Sequence, residues 1–376
     1  MNEQTEFLTQ LIQTDTQNGN ESAVADLLAA KLQAHGIASK QLAYAPGRNN
    51  LIAELNSNAS GKTLVLSGHQ DTVAIGDRNK WQHDPLGAEI VDGKLYGRGA
   101  ADMKSGLAAM VFALIGLKDS GFTGHVRFMA TIGEEYGAMG SRQLTEAGYA
   151  DDIDGLIIGE PTTPSIIVAH SGSLNYKIKA YGQSVHSSMP EQGVNALELL
   201  TDFVVTERTA FDDAPADPIL GPIVHSVTMA QVGSQVNTIP DYGEVAGNIR
   251  PVGTFNNEQV IDRLQAIVTK LNAKSAGRLA FELTHSFVPV KTNETSSLVQ
   301  AADQAIAAVT HRRAPHDIIH GATDASEFTR STRQFDTIIY GPGAWNMAHM
   351  DNEFVPLADF ENAIKIYMQT AEVFCS

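Results

Sequence analysis

The stretch Thr63-Leu64-Val65-Leu66-Ser67-Gly68-His69-Gln70-Asp71-Thr72 decides how the chain is read. A β-branched and aliphatic run enters a small-residue turn, and a histidine and a carboxylate follow two residues apart. In an open α/β sheet, ligands gather just beyond the carboxyl ends of the strands. A histidine there is well placed to hold a metal, and a nearby carboxylate can orient its ring. His-x-Asp alone is a common pair. The reading therefore depends on whether other segments supply matching ligands.

Three more segments end the same way. Phe128-Met129-Ala130-Thr131-Ile132-Gly133 runs into Glu134-Glu135, and Leu156-Ile157-Ile158-Gly159 runs into Glu160. The strand Phe335 to Tyr340 is followed by a glycine-rich turn and His349. Each is an apolar strand, then glycine, then a side chain able to bind metal. Asp102 stands where a long Ala- and Met-rich helix begins. There it serves equally well as a first-turn carboxylate favoured by the helix dipole. So many carboxylates at one sheet edge would repel one another unless cations lie among them. Histidine and carboxylate ligands without cysteine suit zinc, cobalt or manganese. In the pair Glu134-Glu135, adjacent side chains point apart, so one can bind metal while the other acts as a base.

Composition narrows the class further. The chain has 376 residues, enough for two domains, with 43% hydrophobic and 18% charged residues, as in ordinary globular proteins. Its net charge of −17 argues against a nucleic-acid or anionic-membrane surface. The single cysteine, Cys375, rules out an intramolecular disulfide and a thiolate zinc site. The polar, acidic start MNEQTEFLTQ does not read as a secretory signal. The longest apolar run, Gly106 to Leu117, is too short to span a bilayer. A cytoplasmic enzyme or binding protein is expected.

Periodicity predicts helices over 3–14, 21–35, 103–118 and 139–147, and strands over 50–55, 63–67, 126–132 and 154–158. Residues 88–91 and 94–96 read as a hairpin turning at Asp92-Gly93. From about residue 174 the pattern becomes β-α-β-β-α-β, the split ferredoxin-like order. Helix 296–309, strands 316–319 and 336–340, and helix 357–373 then return to the earlier layout. The expected fold is α/β: a catalytic domain of mixed sheet between helices (1–173 and 287–376), with an α+β ferredoxin-like domain (174–286) inserted.

The chain closely resembles the co-catalytic zinc amidohydrolases and peptidases that include acetylornithine deacetylase, succinyl-diaminopimelate desuccinylase, aminoacylase and glutamate carboxypeptidase. The carriers are SGHQDTV (67–73), WQHDPLGAEIVDGKLYGRGAADMKSG (81–106), ATIGEEYGAMGS (130–141), IIGEPT (157–162), VHSSMPEQGVNAL (185–197), VNTIP (236–240), NIRP (248–251), GATDASEF (321–328) and GPGAWNMAHMDNEFV (341–355). They span nearly the whole chain in order. The resemblance implies a zinc-peptidase-like catalytic domain whose inserted domain serves as lid and dimerisation surface.

It also implies roles. His69 and Glu160 would be terminal ligands of one zinc, Glu135 and His349 those of the other, and Asp102 the bridge, followed by a cis peptide bond. Cobalt or manganese are possible substitutes. Glu134 would be the general base and Asp71 the partner that orients His69. His186 would reach the active site of a neighbouring subunit in a homodimer. Asn237 and Arg250 would contact substrate, and Gly321, Thr323 and Asp324 would line the pocket. Ala322 departs from the family, where many relatives carry a second glycine.

The implied reaction is hydrolysis of the amide of an N-acyl amino acid. N-succinyl-LL-2,6-diaminopimelate is first among the substrates, N-acetylornithine second and dipeptides third. A non-catalytic metal- or peptide-binding protein on the same scaffold would have lost ligands or base, and all are present. His170, at a domain crossing, reads as structural.

Overall fold

The apolar runs lie side by side in the computed structural model, which describes residues 2–376. Thr63–His69 sits between His125–Thr131 and Gly155–Ile158, parallel to both. Gly155–Ile158 is in turn parallel to Asp336–Ile339. Every residue of Thr63–His69, His125–Thr131 and Gly155–Ile158 is buried. Strands covered on both faces need that near-continuous apolar character. The hairpin Ser39–Ala45 and Arg48–Leu55 extends one side of the sheet, with Arg48–Leu55 antiparallel to His125–Thr131. On the other side Ile166–His170 runs antiparallel to Asp336–Ile339. The sheet is therefore mixed, with a parallel centre.

The chain forms two compact units. The first runs to Val168 and resumes over Lys291–Asp317 and Thr323–Ser376. Its central helix, Lys104–Asp119, is buried along nearly its whole length and is apolar all round, as expected of a helix enclosed by protein. It packs against Glu3–Gln13 and Leu357–Phe374, and Phe7 meets Phe112 edge to face at 5.8 Å. Asn2 caps the first helix by accepting the Thr5 N–H at 2.9 Å. The predicted hairpin forms between Glu89–Val91 and Lys94–Tyr96. Asp92 and Gly93 both take positive φ there (50° and 74°), as a tight two-residue turn of this hand requires.

The second unit covers Ala169–Val290 and Ile318–Ala322. Four antiparallel strands lie in the order Val224–Val232, Tyr242–Arg250, Ser173–Tyr181, Arg278–Phe287. Leu174, Tyr176, Ile178 and Ala180 alternate onto the buried face. There they meet Leu200 and Phe203 of helix Ala196–Glu207, and Val260 and Leu264 of helix Asn257–Asn272. A short ribbon pairs Val185–His186 with Thr238–Ile239.

Ser39–Ala45 and Ile166–His170 are among the strands of the first sheet that the sequence expectation omits. Ser39–Ala45 has no fully buried residue, so it carries no clean apolar alternation. Ile166–His170 is a short buried run, which periodicity cannot classify.

Candidate metal centre

The parallel strands put their carboxyl ends at one edge, and the ligand candidates follow from register. His69 lies opposite Thr131, so Glu134 and Glu135 begin three residues further along the neighbouring strand. Ser67 lies opposite Ile158, so Glu160 emerges beside His69. Gly133, with φ 64°, turns the chain out of its strand into the short helical turn Glu134–Tyr136. Helix Lys104–Asp119 approaches the same edge closely. A Cβ at Gly106 would lie 2.2 Å from the carbonyl oxygen of Gly159. That close approach brings the helix start, and Asp102 before it, to the strand ends. The Asp102–Met103 peptide bond is cis.

Asp102 lies between two histidines. Its Oδ1 is 2.9 Å from His69 Nε2, and its Oδ2 is 3.3 Å from His349 Nε2. Each histidine has a second carboxylate of its own. Glu160 Oε1 is 3.6 Å from His69 Nε2, and Glu135 Oε2 is 3.1 Å from His349 Nε2. Ligand atoms of His69, Asp102 and Glu135 all lie within 4.8 Å of one another. This places one carboxylate oxygen toward each half of a two-part donor set, the arrangement a bridging ligand needs.

The charges are strongly coupled. Burial opposes ionisation of Asp102, but hydrogen bonds to His349 and His69 outweigh it and hold the carboxyl far below the usual range. Burial likewise disfavours a charged His69, yet Glu160 and Asp102 raise its pKa well above the ordinary value. Asp102 and Glu135 push His349 up to about 10. Burial, with the neighbouring Asp102, pushes Glu160 well above the carboxylate range. Burial also raises Glu134, against the attraction of His69 and with the repulsion of Glu135 and Glu160. Such a cluster requires compensating positive charge, supplied by protons or by cations. Two imidazoles and three carboxylates without a thiolate fit divalent ions such as zinc. His69, Glu160 and Asp102 would hold one, and His349, Glu135 and Asp102 the other.

Asp71 meets His69 through both its main chain and its carboxylate. The His69 ring is held by the main-chain carbonyl of Asp71, which accepts from Nδ1 at 2.9 Å. A carbonyl only accepts, so Nδ1 carries the proton and Nε2 is free to face the cluster. The Asp71 carboxylate is farther from that ring, at 3.8 Å. Its Oδ1 and Oδ2 accept the backbone N–H groups of Glu134 and Glu135, each at 3.2 Å. The side chain thus holds the Glu134–Tyr136 turn, and the backbone makes the shorter contact to the histidine.

Asp324 lies close enough to Glu134 and Asp71 to raise the pKa of each. It is buried, and its oxygens accept the hydroxyls of Thr131 (2.5 Å) and Ser141 (2.6 Å). It ties the strand end to the following helix. Thr323 is buried as well. His170 is buried, and burial pulls its pKa down to about 4, the neutral state expected of a structural histidine.

His186, Asn237, Arg250 and Gly321 belong to the second unit. The ribbon unites two blocks some fifty residues apart in sequence, setting His186 opposite Thr238, next to Asn237. His186 is exposed, with Ser188 Oγ 2.8 Å from Nδ1. Arg250 is half-buried, and among the described residues no carboxylate pairs with it.

Sequence reasoning missed Arg98 and Glu353. Glu353 is fully buried and bonds Arg98 Nη1 at 2.7 Å. It also accepts the backbone N–H groups of Gly99 (3.1 Å), Ala101 (2.8 Å) and Asp102 (2.9 Å). The two residues lie 255 positions apart, and nothing local announces the pairing.

With this geometry in hand, comparison with known proteins assigns the lineage. The chain belongs to peptidase family M20/M25/M40, whose pattern matches residues 65–373. A probable succinyl-diaminopimelate desuccinylase of Staphylococcus epidermidis is 32% identical over 396 residues, covering 98% of this chain and 96% of the relative. An acetylornithine deacetylase of Proteus mirabilis is 32% identical over 368 residues, covering 96% and 92%. Among solved structures, an M20 family metallo-carboxypeptidase from Sulfolobus solfataricus superposes with a TM-score of 0.82 at 19% identity, covering 100% of this chain and 99% of that one. A dinuclear metal binding M20 peptidase from Bacillus subtilis superposes at 0.75 with 16% identity, covering 99% and 97%.

Proposed function

We propose that this chain is a cytoplasmic di-metal hydrolase of N-acyl amino acids, with N-succinyl-LL-2,6-diaminopimelate as substrate and succinate and LL-2,6-diaminopimelate as products. The observation that carries the reading is Asp102, with one oxygen toward His69 and the other toward His349. The Staphylococcus relatives named as probable desuccinylases support the substrate. The Proteus deacetylase, at the same identity, makes N-acetylornithine the second candidate.

His69, Glu160, Asp102, Glu135 and His349 would hold two divalent ions, zinc by the donor set, which would supply Lewis acidity and lower the pKa of water there. The rest is done by side chains. Glu134, with its pKa raised, is suited to take a proton from the attacking water and return it to the leaving amine. Asp71 fixes the backbone of the Glu134-Glu135 turn, so the base and the neighbouring ligand keep their separate directions. Arg250 offers an unpaired guanidinium fork to a substrate carboxylate, and Asn237 hydrogen-bonds the substrate. We read residues 174–286 as an inserted lid and dimerisation domain. Its edge strand Val224–Val232 pairs on one side only and leaves Met229 70% exposed, which suits a homodimer. In that dimer, His186 of the partner subunit would steady the developing oxyanion.

The test is a parallel assay of N-succinyl-LL-2,6-diaminopimelate, N-acetylornithine and dipeptides, before and after chelation, with zinc or cobalt restored. Highest kcat/KM on the succinyl substrate, lost on chelation and recovered with metal, is expected. Glu134→Gln should lower kcat by at least about 10²–10⁴-fold while still binding metal. Hydrolysis that survives full metal removal, or an active Glu134→Gln enzyme, would refute the mechanism.

A further inference from the structure

The Arg98–Glu353 pair joins the two segments that carry Asp102 and His349. Phe354–Pro356 pairs antiparallel with Lys94–Tyr96, and Gly97 N–H donates to the Glu353 carbonyl at 2.9 Å. The chain then turns, and the Glu353 side chain reaches back under the loop leading to Asp102. Its Oε1 accepts the N–H groups of Ala101 and Asp102, and its Oε2 accepts Gly99 N–H and Arg98 Nη1. Arg98 in turn donates to the carbonyl of Met350, next to His349, at 3.3 Å, and its guanidinium lies 5.1 Å from the Trp81 ring centre. A buried carboxylate is costly unless its oxygens are fully engaged, and here four donors engage them. An apolar side chain here would leave the Gly99, Ala101 and Asp102 N–H groups and the Arg98 guanidinium without this acceptor.

The two histidines need this support unequally. His69 ends a fully buried strand, and its side chain is 1% exposed. His349 sits in a turn with φ 63°, and its side chain is 54% exposed. The buried residue nearest to it on the C-terminal side is Glu353, and Arg98 also holds the Met350 carbonyl beside it. We infer, building on the di-metal reading above, that Glu353 is a positioning residue that keeps Asp102 and His349 in register. The ion held by Glu135 and His349 then depends on Glu353 more than the ion held by His69 and Glu160.

The experiment is a zinc titration of the apoprotein against a chromophoric competing chelator, for the wild type, Glu353→Gln and Arg98→Lys. Circular dichroism checks the fold. In Glu353→Gln the amide presents a donor to donors on one side. One zinc equivalent should stay as tight as in the wild type, and the other should weaken by about 10–100-fold. kcat should fall with KM unchanged. A natively folded Glu353→Gln protein with both equivalents unchanged, or both weakened alike, overturns the inference. If Glu353→Gln does not fold, Arg98→Lys decides. It keeps the backbone bonds of Glu353 but loses the reach to Met350, so the same equivalent should weaken by a smaller factor, and an unchanged isotherm overturns the inference. A wild-type chain that takes up no zinc would instead remove the di-metal reading beneath it.

Discussion

Gly106→Ala tests the packing on which the centre is built. In an ordinary helix interior this change stabilises by about 0.5–1 kcal/mol, because glycine has more freedom to lose on folding. Here the new methyl would sit 2.2 Å from the Gly159 carbonyl oxygen, 3.0 Å from Met103 Cε and 3.1 Å from the Gly159 carbonyl carbon. The methionine tip can move aside. The carbonyl belongs to the strand end that carries Glu160 and cannot turn away without disturbing it. Relieving the oxygen contact alone requires the helix and strand to part by roughly 1 Å. Overpacking of this kind costs about 1–3 kcal/mol. At the middle of each range, about 2 less about 0.75, the net loss is about 1 kcal/mol. That corresponds to about 2–4 °C in Tm for a unit of this size. Separation by ~1 Å between Asp102 and Glu160 should also lower kcat by up to about 10²-fold. Differential scanning calorimetry of the apoprotein and steady-state kinetics of the metal-loaded enzyme measure both. A Gly106→Ala protein that melts at or above the wild type with full activity would show that the close crossing does not position the site.

Asp71→Asn should lower kcat by about 10–100-fold while metal content changes less, because the amide can accept only one of the two backbone N–H groups of Glu134 and Glu135 and the other is left unpaired at a cost of about 1–3 kcal/mol. Wild-type turnover in that variant would contradict the role given to the carboxylate. Lys104 is buried with its ammonium on the carbonyls of Leu11 (2.9 Å) and Thr14 (2.7 Å), and burial lowers its pKa from 10.5 to about 8. Between those two values the unfolded chain holds the proton and the folded chain does not, so this residue makes stability rise as pH increases through the window. Lys104→Met should remove that rise, and superimposable Tm–pH curves for the two proteins would contradict it.

Much of the site was legible because its grammar is local. An apolar run, a glycine and then His69, Glu134-Glu135 or Glu160 states both the buried strand and the candidate donor at its end. Parallel register then brings those ends together without further information. Asp102 could be read from its position but not its function, since a carboxylate before a helix has an ordinary use. What stayed hidden depends on contacts between distant parts of the chain. Arg98 and Glu353 are one interaction split by most of the sequence, and neither half is unusual alone. Asp71 could be placed beside His69, but residue spacing cannot show that its carbonyl lies nearer the ring than its carboxylate. The Thr131 and Ser141 hydroxyls that hold the Asp324 carboxylate come from more than 180 positions away, and no local pattern announces them.

The unequal burial of the two histidines gives the centre a sense of time. A ligand walled in at 1% exposure and one open at 54% form two doors of different width. Ions should enter and leave through the His349 side, and the His69 side should fill early and empty last. Removal by a chelator would then run in two phases, with activity disappearing in the fast one. Two different metals could be loaded in sequence into a single molecule, the first locked in place before the second arrives.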